Sequence, residues 1–424
     1  MAVVRSILRR AFPGVATKLF LQLPTLLVIG VCRRFRRKPE QGRESILIFR
    51  LDGIGDCVMA IPFFEQVREL FPAAHITLVT GPAPKPLMEA LSSVDEVLVL
   101  QPALPSIFHR YLRQLAGAFL LYRSVLRFRR FQKVINPRWD TDLYFAALLA
   151  GLVRGPESIS YEDGASPEKK ITNRGFQKVW TRVLPAGPVQ HEVLRNTAVA
   201  QALGWTGGAI PPSMTPSATQ REAAIDWLGS EPGYRVALGL PASGAMRRWS
   251  ASHYVEMLRE VSKQVSIVPV LFADDSTLES AQEILAAFPS AKIAYQLPLV
   301  EVAAILSECA AFAGSDSGLG HLSAAVGCPT ITVSPHPANA HLQHMNSPAR
   351  FRPLGERCVF IQPAMARHGC EAGCISTIAH CILDISADEV AKAILPFLTS
   401  NPAPQSGTDQ AEDQEVSLVT MLER

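Results

Sequence analysis

The chain lacks a cysteine framework, a secretory cleavage site and an uninterrupted membrane-spanning run. Its eight cysteines are scattered over 424 residues, and Cys57, Cys309 and Cys328 sit inside apolar stretches. That pattern fits free thiols in a reducing compartment and argues against a disulfide scaffold. The nearest approach to a metal motif is Cys370-x3-Cys374-x6-Cys381, with His368 and His380 close by. Its spacing is irregular and contains no Cys-x2-Cys unit, so reduced, partly buried thiols are expected there, and no metal. Low-complexity sequence is also missing from the body of the chain, which at 48% hydrophobic and 19% charged residues is globular and long enough for two domains.

Acidic residues are missing where basic ones crowd. Residues 1–43 carry ten Lys/Arg against Glu40 alone, a net of +9, so the +3 of the whole chain leaves about −6 for the rest. Between the basic clusters, Ala11 to Val31 is mostly apolar but interrupted by Lys18, Gln22 and Pro24. It has no small-residue cleavage site, so export is not expected. A helix lying in a membrane interface is expected ahead of a span or a buried helix. No aromatic residues interleave for base stacking, so nucleic acid is not expected as a partner. A second acid-free stretch, Gln101 to Trp139, contains Ile107 to Lys133 with Leu112, Leu115, Phe119, Leu120 and Val125 among seven cations. It reads either as a basic amphipathic membrane contact or as an ordinary surface helix.

From Glu44 onward strand-like and helix-like segments alternate, which predicts parallel sheets with crossover helices. Ile46–Phe49 opens the series, followed by His75–Val79, Glu96–Leu100 and Gln132–Asn136. Val236–Leu240, Ile267–Leu271, Ala310–Ala313 and Thr330–Val333 continue it. The Pro- and Gly-rich stretch Thr206–Gln220 separates two such halves. The expected organisation is a basic membrane-associating segment over 1–43, an acceptor-side Rossmann-like domain over 44–210 and a linker over 211–222. A donor-binding Rossmann-like domain over 223–399 and a disordered tail over 400–424 complete it.

Three loops carry candidate chemistry. Ile46-Leu47-Ile48-Phe49 runs into a polar loop with Gly53 and Gly55 that ends on Asp56, after which Val58, Ile61, Phe63, Phe64, Val67 and Leu70 keep helical spacing. A carboxylate at such a strand-to-helix turn serves as a general base or as a helix cap. In the second half, Ala313 to Leu322 repeats the logic. Backbone N–H groups at a helix start near Ser317, with Gly318 allowing close approach, suit a pyrophosphate. Ser317 is otherwise a plain cap, and Asp316 fits an acceptor for sugar hydroxyls or an organiser of the loop. The third loop, Pro241 to Ser250, holds Arg247 and Arg248. They read as neutralisers of a diphosphate leaving group or as a solvated pair before a helix stapled by Trp249 and capped by Ser250. Asp140-Thr141-Asp142 imitates a metal-binding Asp-x-Asp, but its place before a helix predicts capping.

Taken in order, Arg50-Leu51-Asp52-x-Ile54-Gly55-Asp56, Arg247-x-Trp249 and Asp316-Ser317-Gly318-Leu319-x-His321-Leu322-x-Ala324-Ala325 resemble glycosyltransferase family 9, which contains the lipopolysaccharide heptosyltransferases. His191-Glu192-Val193 and the tail with Cys370, Cys374, Cys381 and Ile385-Ser386 extend the likeness from Glu44 to Leu398. The resemblance implies an α/β GT-B fold, with two Rossmann-like domains whose parallel sheets face a central cleft. It implies inverting transfer without metal or cofactor, from a nucleotide-activated sugar, most often ADP-heptose, to a lipid-linked core oligosaccharide. Asp56 would be the catalytic base. Arg247, Asp316, Ser317, Gly318, Leu319 and His321 would bind the donor, and Gly53 and Gly55 would form the glycine loop. The enzyme would sit on the cytoplasmic face of the inner membrane as a peripheral protein. Another nucleotide sugar, or a catalytically silent membrane-associated binding protein, is the alternative. Three features depart from the family: Arg stands at 247 where Lys is usual, Gly320 replaces a larger residue, and the basic head precedes the shared core.

Overall fold

The computed structural model of the protein describes residues 22–32, 44–105, 110–342, 344, 347–371 and 376–399. Most of the basic head, the start of the stretch from Ile107, Cys374 and the tail 400–424 lie outside the described residues. Two compact units form. One takes the chain up to Gly53, then Phe63–Pro188 and Leu194–Gly208; the other takes Ile54–Pro62, Val189–Val193 and the chain from Ala209.

The first unit holds the helix α1 (Leu23–Cys32) and a six-stranded sheet. Its strands are β1 (Ser45–Arg50), β2 (His75–Thr80), β3 (Glu96–Val99), β4 (Lys133–Ile135), β5 (Glu157–Tyr161) and β6 (Arg182–Leu184). All pairs are parallel, in the order β3-β2-β1-β4-β5-β6. Ile46, Leu47, Ile48 and Phe49 are all buried, as a parallel strand covered on both faces requires of a continuous apolar run.

The helical spacing after Asp56 proves to be two helices, α2 (Ile54–Val58) and α3 (Ile61–Leu70). Pro62 sits in the first turn of α3, where its missing N–H costs nothing, and the chain breaks just before it. The stretch from Ile107 forms a helix over its described residues from Arg110. The helix α4 (Arg110–Ser124) buries Tyr111, Gly117, Ala118 and Leu121 and leaves Phe119 and Leu120 exposed. Gly117 is required there, because a methyl group would collide with the carbonyl oxygen of Gln101.

Helix α5 (Ala146–Val153) is apolar throughout and buried. Asp142 caps it, its two carboxylate oxygens accepting from Ala146 N at 3.1 Å and Ala147 N at 2.8 Å. The Asp-x-Asp sequence therefore caps a helix, as expected. Helix α1 packs on α5, with Val28 against the core cluster that α5 joins, and exposes Leu23, Leu27 and Val31. No helix among the described residues is long and apolar enough to cross a membrane.

The second unit repeats the winding with β7 (Tyr234–Gly239), α6 (Ala251–Ser262), β8 (Ile267–Ala273), β9 (Lys292–Tyr295) and β10 (Ala311–Ser315). It continues with α7 (Gly318–Ala325), β11 (Thr330–Val333), β12 (Cys358–Ile361) and α8 (Ala387–Thr399). Its sheet is parallel in the order β12-β11-β10-β7-β8-β9. Leu238, Leu271 and Ile331 from the strands pack with Tyr254, Met257 and Leu258 of α6 and with Val390, Ile394 and Leu398 of α8. A further helix, Ala218–Leu228, opens on a capping box of Ser217 and Gln220, inside the proline-rich stretch.

Candidate active site

In each sheet the winding reverses between the unit's first and fourth strands, β1 and β4 in one and β7 and β10 in the other. Loops leaving the carboxyl ends of two such strands diverge and open a crevice, the usual ligand position in this architecture. In both units an arginine–aspartate pair ties the two loops together. In the first, Asp52 after β1 pairs with Arg138 after β4, and also with Arg50 Nε at 3.3 Å. In the second the order is reversed: Arg247 follows β7 and Asp316 follows β10, with Arg247 Nη2 donating to Asp316 Oδ2 and to its carbonyl oxygen, both at 2.8 Å.

The turn bearing Arg247, Ala245–Arg247, is fastened from behind. The Trp249 backbone N–H donates to Ser315 Oγ at 3.0 Å, and its indole N–H to the carbonyl of Ile385 at 3.1 Å. Tyr254 stands edge-on to the indole, ring centroids 4.9 Å apart; its hydroxyl accepts from Ser315 N at 3.2 Å and donates to the Gly239 carbonyl at 3.0 Å. Ser250 caps α6 through His253 N at 3.3 Å. The adjacent cations diverge: Arg248 turns away to Ser276, donating to its Oγ at 2.7 Å and its carbonyl at 3.1 Å. Burial pushes the Asp316 carboxyl up from the ordinary carboxylate range, and Arg247 only partly offsets this.

Ser317 occupies the N-cap position of α7, yet its hydroxyl caps nothing. That hydroxyl is buried without a hydrogen-bond partner among the described residues. A buried, unsatisfied donor costs free energy, on the order of 1–3 kcal/mol, unless something pairs with it. Gly318 and Leu319 are half-buried at the same helix start, and Gly320 is buried against Thr332, whose Oγ1 would stand 3.1 Å from an added methyl group.

His321 is buried one turn further on. Burial first, then His191 and Arg247, holds its pKa down to about 3, so the ring is neutral at pH 7. His191 is depressed to about 4, chiefly by burial. Its Nε2 lies 2.8 Å from the Arg352 carbonyl and its Nδ1 3.2 Å from Val193 N, which assigns a neutral ring with the proton on Nε2. Next to it Glu192 forms a buried ion pair with Arg350 at 3.2 Å.

The helix α2, with half-buried Asp56 in its first turn, packs on α7 within the second unit. Two glycines make the approach: a methyl group on Gly55 would stand 2.7 Å from His321 Cδ2, and one on Gly318 would stand 2.8 Å from Ile54 Cβ. The second unit thus gathers Asp56, Gly55, Arg247, Asp316, Ser317, Gly318, Leu319 and His321. Gly53, exposed, belongs to the first. Sequence reasoning missed Ser315 and Tyr254. A serine ending an apolar strand and a tyrosine inside an amphipathic helix carry no signal of their own.

Two doubly wound parallel units, with a cation, a serine and glycines converging on a helix start, define a glycosyltransferase of the GT-B class. The family model of glycosyltransferase family 9 (heptosyltransferase) matches residues 128–357, more than half of the chain. The chain belongs to that family. It is 25% identical over 295 residues to lipopolysaccharide heptosyltransferase 1 of Pseudomonas aeruginosa, covering 68% of this chain and 78% of that one. Among solved structures it is similar in fold to E. coli ADP-heptose lps heptosyltransferase II, with a TM-score of 0.64 at 18% identity over 84% of this chain and 99% of the other. A family 9 glycosyltransferase from Veillonella parvula gives 0.65 at 16% identity, over 86% and 99% of the two chains. An E. coli heptosyltransferase solved with ADP gives 0.62 at 16%, over 83% and 99%.

Proposed function

We propose that this glycosyltransferase moves a heptose from ADP-heptose to the core oligosaccharide of a lipid-linked acceptor, with inversion and without metal or cofactor. The carrying observation is the packing of α2 on α7, which brings the Asp56 helix against the helix start that bears Ser317. In this reading the Asp56 carboxylate takes the proton of an acceptor hydroxyl. The freed oxygen attacks the anomeric carbon from the side opposite the diphosphate, the carbon–oxygen bond breaks, and its electron pair leaves on the phosphate oxygen. Arg247, the N–H groups opening α7 and the Ser317 hydroxyl meet that charge. Arg247 exchanges its bond to Asp316 for the diphosphate, which frees the Asp316 carboxylate to accept from a sugar hydroxyl. His321, held neutral, adds no charge repelled by Arg247.

A lipid-linked acceptor calls for a membrane surface, and the first unit offers one contact of the right chemistry. Leu23, Leu27 and Val31 of α1 are exposed, as are Phe119, Leu120 and Arg123 of α4, and both helices pack on α5. Apolar anchors among cations favour anionic lipid. The basic head would add to this attraction on the cytoplasmic face of the inner membrane.

Incubating the protein with ADP-heptose and a heptose-deficient lipid-linked core tests the reading. The expected result is ADP release, a product heavier by one heptose and an inverted anomeric configuration. Turnover of a different nucleotide sugar alone would move the donor assignment. Binding of donor with no turnover of any would mark a silent binding protein.

A further inference from the structure

We propose that Cys370, His380 and Cys381 form a structural site for a thiophilic divalent cation, zinc first, behind the loop that carries Arg247. The ligand-capable atoms of these residues all lie within 4.8 Å of one another. Cys370 Sγ is 3.8 Å and Cys381 Sγ 3.3 Å from the same atom, His380 Nδ1. Metal–sulfur bonds of about 2.3 Å and metal–nitrogen bonds of about 2.0–2.1 Å, at a tetrahedral angle, separate sulfur from nitrogen by about 3.6 Å. The two observed separations bracket that value.

A ring nitrogen offers either one lone pair or one proton, so the shared Nδ1 serves one of the two sulfurs well. A cation at the shared centre satisfies both sulfurs and the nitrogen together. Both cysteines are buried and His380 is half-buried, which leaves room for a further ligand from solvent. His368, the other histidine nearby in sequence, is fully exposed and takes no part. Thiolate and imidazole donors select zinc over hard cations such as magnesium.

The place in the fold gives the site a purpose. From the end of β12 to the start of α8, the described residues contain one short helical turn, Cys381–Asp384. Besides the thiol cluster, the Arg367–Asp384 ion pair, Nε to Oδ2 at 3.0 Å, fastens this long connection. Met246 packs directly on Cys370 and Cys381, one residue before Arg247. A metal there would clamp the connection and brace the donor loop from behind. Binding sends the two thiol protons to solvent, so it strengthens as pH rises.

The test begins with the full chain produced in zinc-supplemented medium and freed of loose metal by gel filtration. Elemental analysis should find about one equivalent of zinc per chain, lost in Cys370→Ser and Cys381→Ser. Should those variants fail to fold, the wild-type chain stripped with chelator decides: zinc, and not magnesium, should restore its melting temperature. Cobalt(II) added to it should give a thiolate-to-cobalt charge-transfer band. A purified chain with no bound metal, whose melting zinc leaves unchanged, overturns the proposal. So does a Cys370–Cys381 disulfide found by peptide mapping of the chain isolated under reducing conditions. None of these readouts depends on sugar transfer, so the site stands or falls apart from the proposed reaction.

Discussion

Gly55 and His321 lie so close that a methyl group on the glycine would stand 2.7 Å from the imidazole Cδ2. The distance fixes how near the Asp56 helix comes to the helix that opens at Ser317. Gly55→Ala must push the two helices apart or displace the ring, at about 1–3 kcal/mol of overpacking. Transfer should fall while the sheets stay intact by circular dichroism. His321→Ala in the same chain removes the obstacle and should recover part of the transfer lost to Gly55→Ala. A purely additive pair would show that the contact does not matter.

Asp56 is the proposed base, and its removal should strike the chemical step. Asp56→Asn should lower kcat by roughly 10²–10⁴-fold, the range for a lost general base, with ADP-heptose affinity little changed. Calorimetric titration of the donor beside a transfer assay checks both halves. Undiminished transfer ends the assignment.

Arg247 is expected to act on the donor through charge and through its planar fork. Arg247→Ala should weaken ADP binding by roughly 10–100-fold, the equivalent of a charge-assisted hydrogen bond worth about 1.5–3 kcal/mol. Arg247→Lys keeps the charge and should lose less. ADP titration at low and high salt reads both; equal affinity in all three chains would remove Arg247 from the donor site.

His191 makes the fold sensitive to acid. Its pKa of about 4 lies below the ordinary 6.5, so between those values the unfolded chain takes up a proton that the folded chain refuses. The stabilisation is complete above pH 6.5 and drains away as pH falls, about 2 kcal/mol by pH 5 from this residue. His191→Gln, which keeps a hydrogen-bonding side chain, should flatten that part of the urea-midpoint profile between pH 7 and 5. An unchanged slope would assign the acid sensitivity elsewhere.

The apolar and basic faces of α1 and α4 are expected to bind lipid. Full-length protein should sediment with vesicles containing anionic lipid, less so with neutral ones, and Phe119→Ser with Leu120→Ser should reduce the bound fraction several-fold. Retention of both variants on vesicles would remove α4 from the contact.

The strands that line each winding reversal were legible in the sequence because a buried parallel strand is a continuous apolar run. Ile46–Phe49 and Val236–Leu240 are of that kind. The edge strands β6, β9 and β12, and β5 beside β6, went unread. Glu157–Tyr161 alternates polar residues, and Arg182–Leu184 has its first two residues exposed, so neither carries the apolar signature. The site residues were legible as loops after strands. Their division of labour was not: nothing in Arg247-Arg248 says that one turns to Asp316 and the other to Ser276. From sequence the Ser317 hydroxyl could equally have been a ligand contact or a plain cap; its geometry shows no cap bond. Which face of α4 is buried was not legible, because packing against Gln101 selects the small face, Gly117 and Ala118, over the larger apolar one.

Ile54–Pro62 precedes most of the first unit in sequence but packs with the second. A chimaera joined only at residue 208 would therefore pair one parent's α7 with the other parent's α2, and Ile54, Gly55 and His321 would no longer be matched. Exchange of donor specificity between relatives requires a three-piece transplant, in which this nine-residue insert and Val189–Val193 travel with the C-terminal half.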